Sequence, residues 1–139
     1  MECTIRWSGE GMSFIAETGS NHLIAMDGAP DGGGRNLAPR PMETVLAGAG
    51  GCTAYDVVVI LKKSGQDVTG CAVRLEAERA QTDPKVFTRI HYRFTVRGRN
   101  LKRNVVEQAV RLSHEKYCSA TAILEKTAQI TRDLEIVEG

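Results

Sequence analysis

No charge of either sign dominates this chain: 18 lysines and arginines stand against 17 aspartates and glutamates, for a net charge of +1. Without a basic field there is nothing to draw in nucleic acid or an anionic bilayer, and neither is expected as a partner. Long apolar runs are also missing. The longest, Val57 to Leu61, falls far short of the roughly 20 residues that a membrane helix needs. The Met1–Trp7 segment has no basic stretch followed by an apolar one, so no export signal is expected and a cytoplasmic location is. Cysteine is sparse. Cys3, Cys52, Cys71 and Cys118 contain no C-x-x-C pair and His22, His91 and His114 are scattered, so no metal site is expected. The same sparseness excludes a disulfide scaffold and predicts reduced thiols, with any bridge transient. The glycines of the Asp27–Arg40 segment are not followed by the lysine and hydroxyl residue of a phosphate-binding loop.

At 139 residues the chain has the length of one domain, residues 1–139, with no internal repeat or second-domain linker. Cys3, Ile5 and Trp7 alternate with polar neighbours, and so do Met12, Phe14 and Ala16. With a third strand from about His22 to Met26, they predict an antiparallel meander. The glycines and prolines between Asp27 and Arg40 predict a mobile loop. From Pro41 the apolar residues recur at three- and four-residue steps through Leu61, the pattern of a long helix ending near Lys62-Lys63-Ser64-Gly65. Val68 to Ala80 and a return strand around Ile90 to Val96 predict a long hairpin. Asn100 is placed to cap a second helix, a short third helix follows Tyr117, and Ile130, Leu134 and Ile136 mark a last strand. The order βββ-α-ββ-α-α-β predicts an α+β fold, with antiparallel sheet and helices gathered on one face.

The central helix is apolar nearly all round, and its Ala47-Gly48-Ala49-Gly50-Gly51 run is costly in helix propensity unless close packing needs small residues. One sheet covers one side of such a helix. A second subunit covering the other makes an intertwined homodimer the expected state.

Chemistry is sought first at Cys52, a thiol on that helix, and at Cys118. A thiolate at Cys52 could attack the oxygen–oxygen bond of an apolar peroxide and become a sulfenic acid, although free cysteines are also common core residues. Cys118 follows Lys116 at a predicted helix start, both of which favour thiolate. Glu43 could orient or help activate the site, and Arg35 or Arg40 could pair with it or stabilise a thiolate. Nine residues of ideal helix turn through roughly 900°, which sets Glu43 on the face opposite Cys52 and about 13 Å along the axis. Asp56, four residues after Cys52, shares its face as a polar lining residue. His114, four residues before Cys118, is read as a solvated side chain.

At these residues the chain resembles the OsmC/Ohr family, the osmotically inducible and organic hydroperoxide resistance proteins. The matching pieces are Pro41-Met42-Glu43-Thr44-Val45-Leu46-Ala47-Gly48-Ala49-Gly50-Gly51-Cys52-Thr53 and Tyr117-Cys118-Ser119, with the β-helix-β order over almost the whole length. The likeness is to a less characterised branch, in which paired glycines precede the first cysteine. The resemblance implies an intertwined dimer with two sites at the subunit interface. It further implies that the cysteine matched by Cys52 attacks a hydroperoxide and the one matched by Cys118 resolves the sulfenic acid as a disulfide. An external dithiol, such as a lipoylated protein, would restore the thiols, and no prosthetic group is implied. Three departures stand out. The peroxidases carry an arginine in the first hairpin turn where this chain has Ser8-Gly9-Glu10-Gly11, leaving Arg35 or Arg40 as substitutes. The glutamate-to-cysteine interval is shorter by one residue, and Ser119 replaces a common proline. The expected function is thiol-dependent reduction of organic hydroperoxides. Alternatives are a non-catalytic dimer that binds an apolar small molecule, or a thiol redox sensor.

Overall fold

In the computed structural model, which describes residues 1–139, alternation of apolar and polar side chains becomes sheet at both ends of the chain. The chain divides into two compact units, Met1–Ala47 and Gly48–Gly139. In the first, Cys3–Trp7 (β1), Phe14–Thr18 (β2) and Leu23–Met26 (β3) form the expected antiparallel meander. Its register sets Ile5 opposite Ala16 and Trp7 opposite Phe14, and then Ala16 opposite Ile24. These residues therefore share one face. Of them Ala16 is buried, whereas Ile5 and Trp7 remain more than half exposed.

The segment from Asp27 to Arg40, whose composition predicts a mobile loop, is tied by hydrogen bonds to one side chain. Asp27 is buried, and its carboxylate accepts backbone N–H groups from Gly28 at 2.7 Å, Arg35 at 3.3 Å and Leu37 at 3.1 Å. One side chain thus gathers the loop around itself, with a 3-10 turn at Pro30–Gly32 on the way. The backbone of Gly28 runs so close to Gly34 that a Cβ on Gly34 would overlap it. Glycine is required there by close approach.

The central helix, Pro41–Lys63 (α1), crosses from the first unit into the second. Its start is a capping arrangement in which the Glu43 carboxylate reaches back to accept the Arg40 N–H at 2.9 Å, ahead of a proline in the first turn. Its end has Lys62 and Lys63 in the last turn and Gly65 in the left-handed conformation at φ 71°. By length and composition alone α1 could cross a membrane. Its buried residues instead form one stripe, Ala49, Gly50, Thr53, Val57 and Leu61, as in a helix lying on a core.

In the second unit, Asp67–Arg79 (β4) and Phe87–Arg99 (β5) make the predicted hairpin, and Gln129–Glu138 (β6) joins β5. The β5–β6 pairing is parallel, with Ile90 beside Ile130 and Phe94 beside Leu134, which corrects the expectation of a wholly antiparallel sheet. The reason is the connection. Arg103–Leu112 (α2), a π-helical turn at Ser113–Tyr117 and Ser119–Leu124 (α3) lie between the two strands, and such a crossover returns the chain in its original direction. Ile90, Tyr92, Phe94 and Val96 bury one face of β5, together with Val57 and Leu61 of α1 and Val106, Ala109 and Val110 of α2. α1 approaches the sheet closely at Gly50, where a Cβ would stand 2.9 Å from Leu75 Cδ1 of β4. Asn100 does not cap α2. That position falls to Lys102, while Asn100 turns the chain at φ 52° and donates its N–H to Glu138.

The backbone donors around Asp27, led by Gly28, hold its carboxyl below the ordinary value of 3.8. A depressed folded-state pKa contributes stability that is present above the unfolded pKa and lost as pH falls through the folded one. Asp27→Asn should therefore lower Tm at pH 7, because an amide nitrogen would face one of the N–H donors. The gap to the parent protein should narrow as pH drops below the usual carboxylate range. Thermal melts from pH 7 to 3 test this, and a gap unchanged with pH would contradict it.

Candidate functional site

Two elements of the second unit bring two of its three thiols together. α1 presents Cys52 and, one turn later, Asp56 on the same side. The π-helical turn ends at Cys118, whose N–H donates to Ser113 O at 2.7 Å. The two sulfurs and a carboxylate oxygen of Asp56 all lie within 4.8 Å of one another. All four cysteines of the chain are free thiols. The pair differs in access, for Cys52 is half-buried while Cys118 is only 2% exposed.

Cys118 caps α3. Its sulfur accepts the Thr121 N–H at 3.4 Å and the Thr121 hydroxyl at 3.1 Å. The Thr121 oxygen lies 3.2 Å from the buried Tyr92 hydroxyl, and since Thr121 has one proton to give, Tyr92 donates to it. Burial pushes the Cys118 thiol up, Thr121 offsets part of that rise, and the adjacent Cys52 adds to it. Burial likewise pushes the Tyr92 hydroxyl up, so Tyr92 stays a proton donor. Lys116 does not serve Cys118 as the sequence suggests, since its ammonium sits over the Tyr117 ring, 5.2 Å from the centroid.

A second hydrogen-bond chain holds Asp56. Ser113 donates to Asp56 Oδ2 at 3.0 Å and lies 2.7 Å from the Thr53 hydroxyl. With the Ser113 proton on the carboxylate, Thr53 donates to Ser113. Thr53, Ser113 and Thr121 are buried, and no buried side-chain nitrogen or oxygen lacks a partner. His114 is a bridge rather than a solvated side chain. Arg132 donates to its Nδ1 at 2.5 Å, which leaves Nε2–H to donate to Glu125 at 3.2 Å.

Asp56 thus shares the face of Cys52, as its helical spacing implies, and also lies close to Cys118. Arg35, Arg40 and Glu43 belong to the first unit and make their contacts there. Glu43 caps α1 and pairs with Arg40 at 3.8 Å, and Arg40 also donates to Asn36 at 2.6 Å. Arg35 reaches Glu10 in the first hairpin turn at 3.1 Å. The turn that lacks an arginine of its own therefore holds one supplied from the loop. Tyr92, Thr53, Ser113 and Thr121 escaped the sequence reading. The one local signal was Thr121 three residues after Cys118, the spacing of a cap and the N–H it accepts.

A cleft of about 640 Å³ lies between α2 and β6, lined by Glu107, Arg111, Arg132 and Asp133 among others. Neither cysteine borders it, and its lining is charged rather than apolar.

The chain is similar in sequence and fold to several known proteins. A family model described as OsmC-like protein matches residues 32–132. The protein YhfA of Escherichia coli K12 is 48% identical over 137 residues, covering 99% of this chain and 98% of its own. The crystal structure of a hypothetical protein from Aquifex aeolicus VF5 has TM-score 0.84 and 29% identity, covering 99% of this chain and 96% of its own. An organic hydroperoxide resistance protein, OsmC, from Legionella pneumophila has TM-score 0.68 and 15% identity, covering 97% of each chain, and shows a shared fold alone. With the family match running through α1, the hairpin and the crossover that carry both cysteines, this chain belongs to the OsmC-like protein family.

Proposed function

We propose that the protein reduces organic hydroperoxides with Cys52 as the attacking thiol and Cys118 as its resolving partner. The observation that carries the proposal is the placing of two free thiols, far apart in sequence, within 4.8 Å. The difference in access supports the assignment, because the attacking sulfur must meet substrate and the resolving one need meet only its partner. The Cys52 thiolate attacks the peroxide, the O–O bond breaks, and an alkoxide leaves and takes up a proton as the alcohol. Cys52 is then a sulfenic acid. The Cys118 thiolate attacks that sulfur, a disulfide forms, and hydroxide leaves as water after gaining a proton. Two electrons have passed from two thiols to one peroxide, and an external dithiol of the lipoyl type returns them in a reducing cytoplasm. Asp56 is a polar wall of the site. Arg35, held at the hairpin turn by Glu10, takes the part of the arginine missing from that turn, with Arg40 and Glu43 fixing the start of α1.

We also propose that the working form is a homodimer of this OsmC-like chain. α1 buries a single stripe, while Tyr55 on it and Ile123 on α3 are 73% and 71% exposed. Gly48 and Gly51 meet nothing within 4 Å where a Cβ would stand, so their helix-weakening effect has no compensation inside one chain. A second copy laid against α1 supplies it.

Cys52→Ser should abolish steady-state consumption of an alkyl hydroperoxide with a dithiol reductant. Cys118→Ser should retain one equivalent of oxidation per chain and yield a sulfenic acid trapped at Cys52. Label at Cys3 or Cys71 instead, or turnover surviving in Cys52→Ser, would reject the assignment, and oxidation without turnover in the parent protein would favour a sensor. Arg35→Ala should lower kcat/KM by roughly tenfold or more, about the size of a lost charge-assisted contact of 1.5–3 kcal/mol. An unchanged kcat/KM would remove Arg35 from the site. Light scattering at low micromolar concentration should give twice the chain mass; a fully active monomer would end the dimer proposal.

A further inference from the structure

The thiol pair has a third member that the peroxide chemistry does not need. Asp56 offers a carboxylate oxygen within 4.8 Å of both sulfurs, although a carboxylate beside a thiol opposes its ionisation and does nothing to help a nucleophile. We propose that Cys52, Asp56 and Cys118 form a binding site for a thiophilic divalent cation, with Zn²⁺ the ion their chemistry fits best.

Two thiolates and one carboxylate are a donor set that Zn²⁺ accepts, and three protein ligands leave a fourth position for water. Around a tetrahedral zinc, bonds of about 2.3 Å to sulfur and 2.0–2.2 Å to oxygen set these ligand atoms roughly 3.5–3.8 Å apart. Side-chain rotation closes the difference, because Cys52 and Asp56 stand one helical turn apart on α1 and point the same way. The outer shell is already built. Ser113, backed by Thr53, donates to Oδ2 of Asp56, and Thr121 donates both its N–H and its hydroxyl to the Cys118 sulfur. Such contacts orient metal ligands and hold their remaining lone pairs. Cys118 closes the floor of the site, while half-buried Cys52 and Asp56 leave it an entrance. The lack of C-x-x-C spacing hid this set in the sequence, since its members come from a helix and a distant turn.

Binding replaces the two thiol protons, which pass to solvent, and oxidises nothing. The metal then occupies the sulfur lone pairs through which a peroxide would be attacked. Loss of the metal on oxidation rests on the thiol–disulfide function proposed above, whereas binding to the reduced protein does not.

The test is titration of the reduced, chelator-treated full chain with ZnCl₂ against a chromogenic chelator, without peroxide. One Zn²⁺ per chain is expected in the parent protein and in the Cys3→Ser/Cys71→Ser double variant, and none at that affinity in Cys52→Ser/Cys118→Ser. Asp56→Asn keeps the size of the side chain and an acceptor for Ser113. It should weaken binding by at least the roughly 10- to 100-fold that losing even an outer-shell partner costs. Co²⁺ in place of Zn²⁺ should give a near-ultraviolet thiolate-to-metal band, reduced by about half in either single cysteine variant, with far-ultraviolet circular dichroism reporting that each variant is folded. Failure of the reduced parent protein to bind, full stoichiometry in Cys52→Ser/Cys118→Ser, or unchanged affinity in Asp56→Asn would overturn the site. Peroxide turnover without zinc binding would sink this inference alone, and zinc binding without turnover would sink only the peroxidase assignment.

Discussion

The site depends on one wide turn of backbone. Between α2 and α3 the helix loosens to π geometry over Ser113–Tyr117, closed by the 2.7 Å bond from Cys118 N–H to Ser113 O. Adding one residue to a helical turn advances the phase by about 100°. That advance decides where two side chains point. Ser113 enters against α1, bonded to Asp56 and close to Thr53, and Cys118, at the other end of the same turn, brings its sulfur to Cys52. Regular α geometry through these residues would shift the register of one relative to the other.

Hydrogen bonds to Asp56 and to Cys118 are separately organised. Tyr92 on the sheet donates to Thr121, which donates to the Cys118 sulfur, and Thr53 donates to Ser113, which donates to Asp56. Every buried hydroxyl in these chains has a partner, as a low-dielectric interior demands. The result is an asymmetric pair of thiols. Cys118 is immobilised, buried and raised in pKa, and Cys52 sits at the half-open end of the arrangement.

Much of this was legible in the chain itself. Alternation located the meander and the long hairpin, and a proline ahead of a stepped apolar pattern located α1. The four-residue step from Cys52 to Asp56 alone puts both on one helical face. Direction was less legible: the alternation of Ile130, Leu134 and Ile136 marks a strand equally well whether it runs with or against β5. Only the path of the crossover decides. Asn100 looked like a cap because asparagine accepts N–H groups, but its equal tolerance of positive φ won there. Asp27 reads as part of a mobile stretch because its three N–H donors come from positions that no short motif connects. Ser113 and Thr121 stayed hidden for a related reason, since hydroxyls acquire a role only once the fold aims them.

The parallel pairing of β6 with β5 also sets an order of events. Antiparallel neighbours β4 and β5 can close as a hairpin soon after both exist, but β6 must wait until the whole α2–α3 crossover has been traversed. Arg132 on β6 is the residue that bonds His114 beside the wide turn, so the strand that arrives last also braces the segment carrying Cys118. The segment carrying Cys118 therefore gains this brace only when the last strand of the chain is in place beside β5.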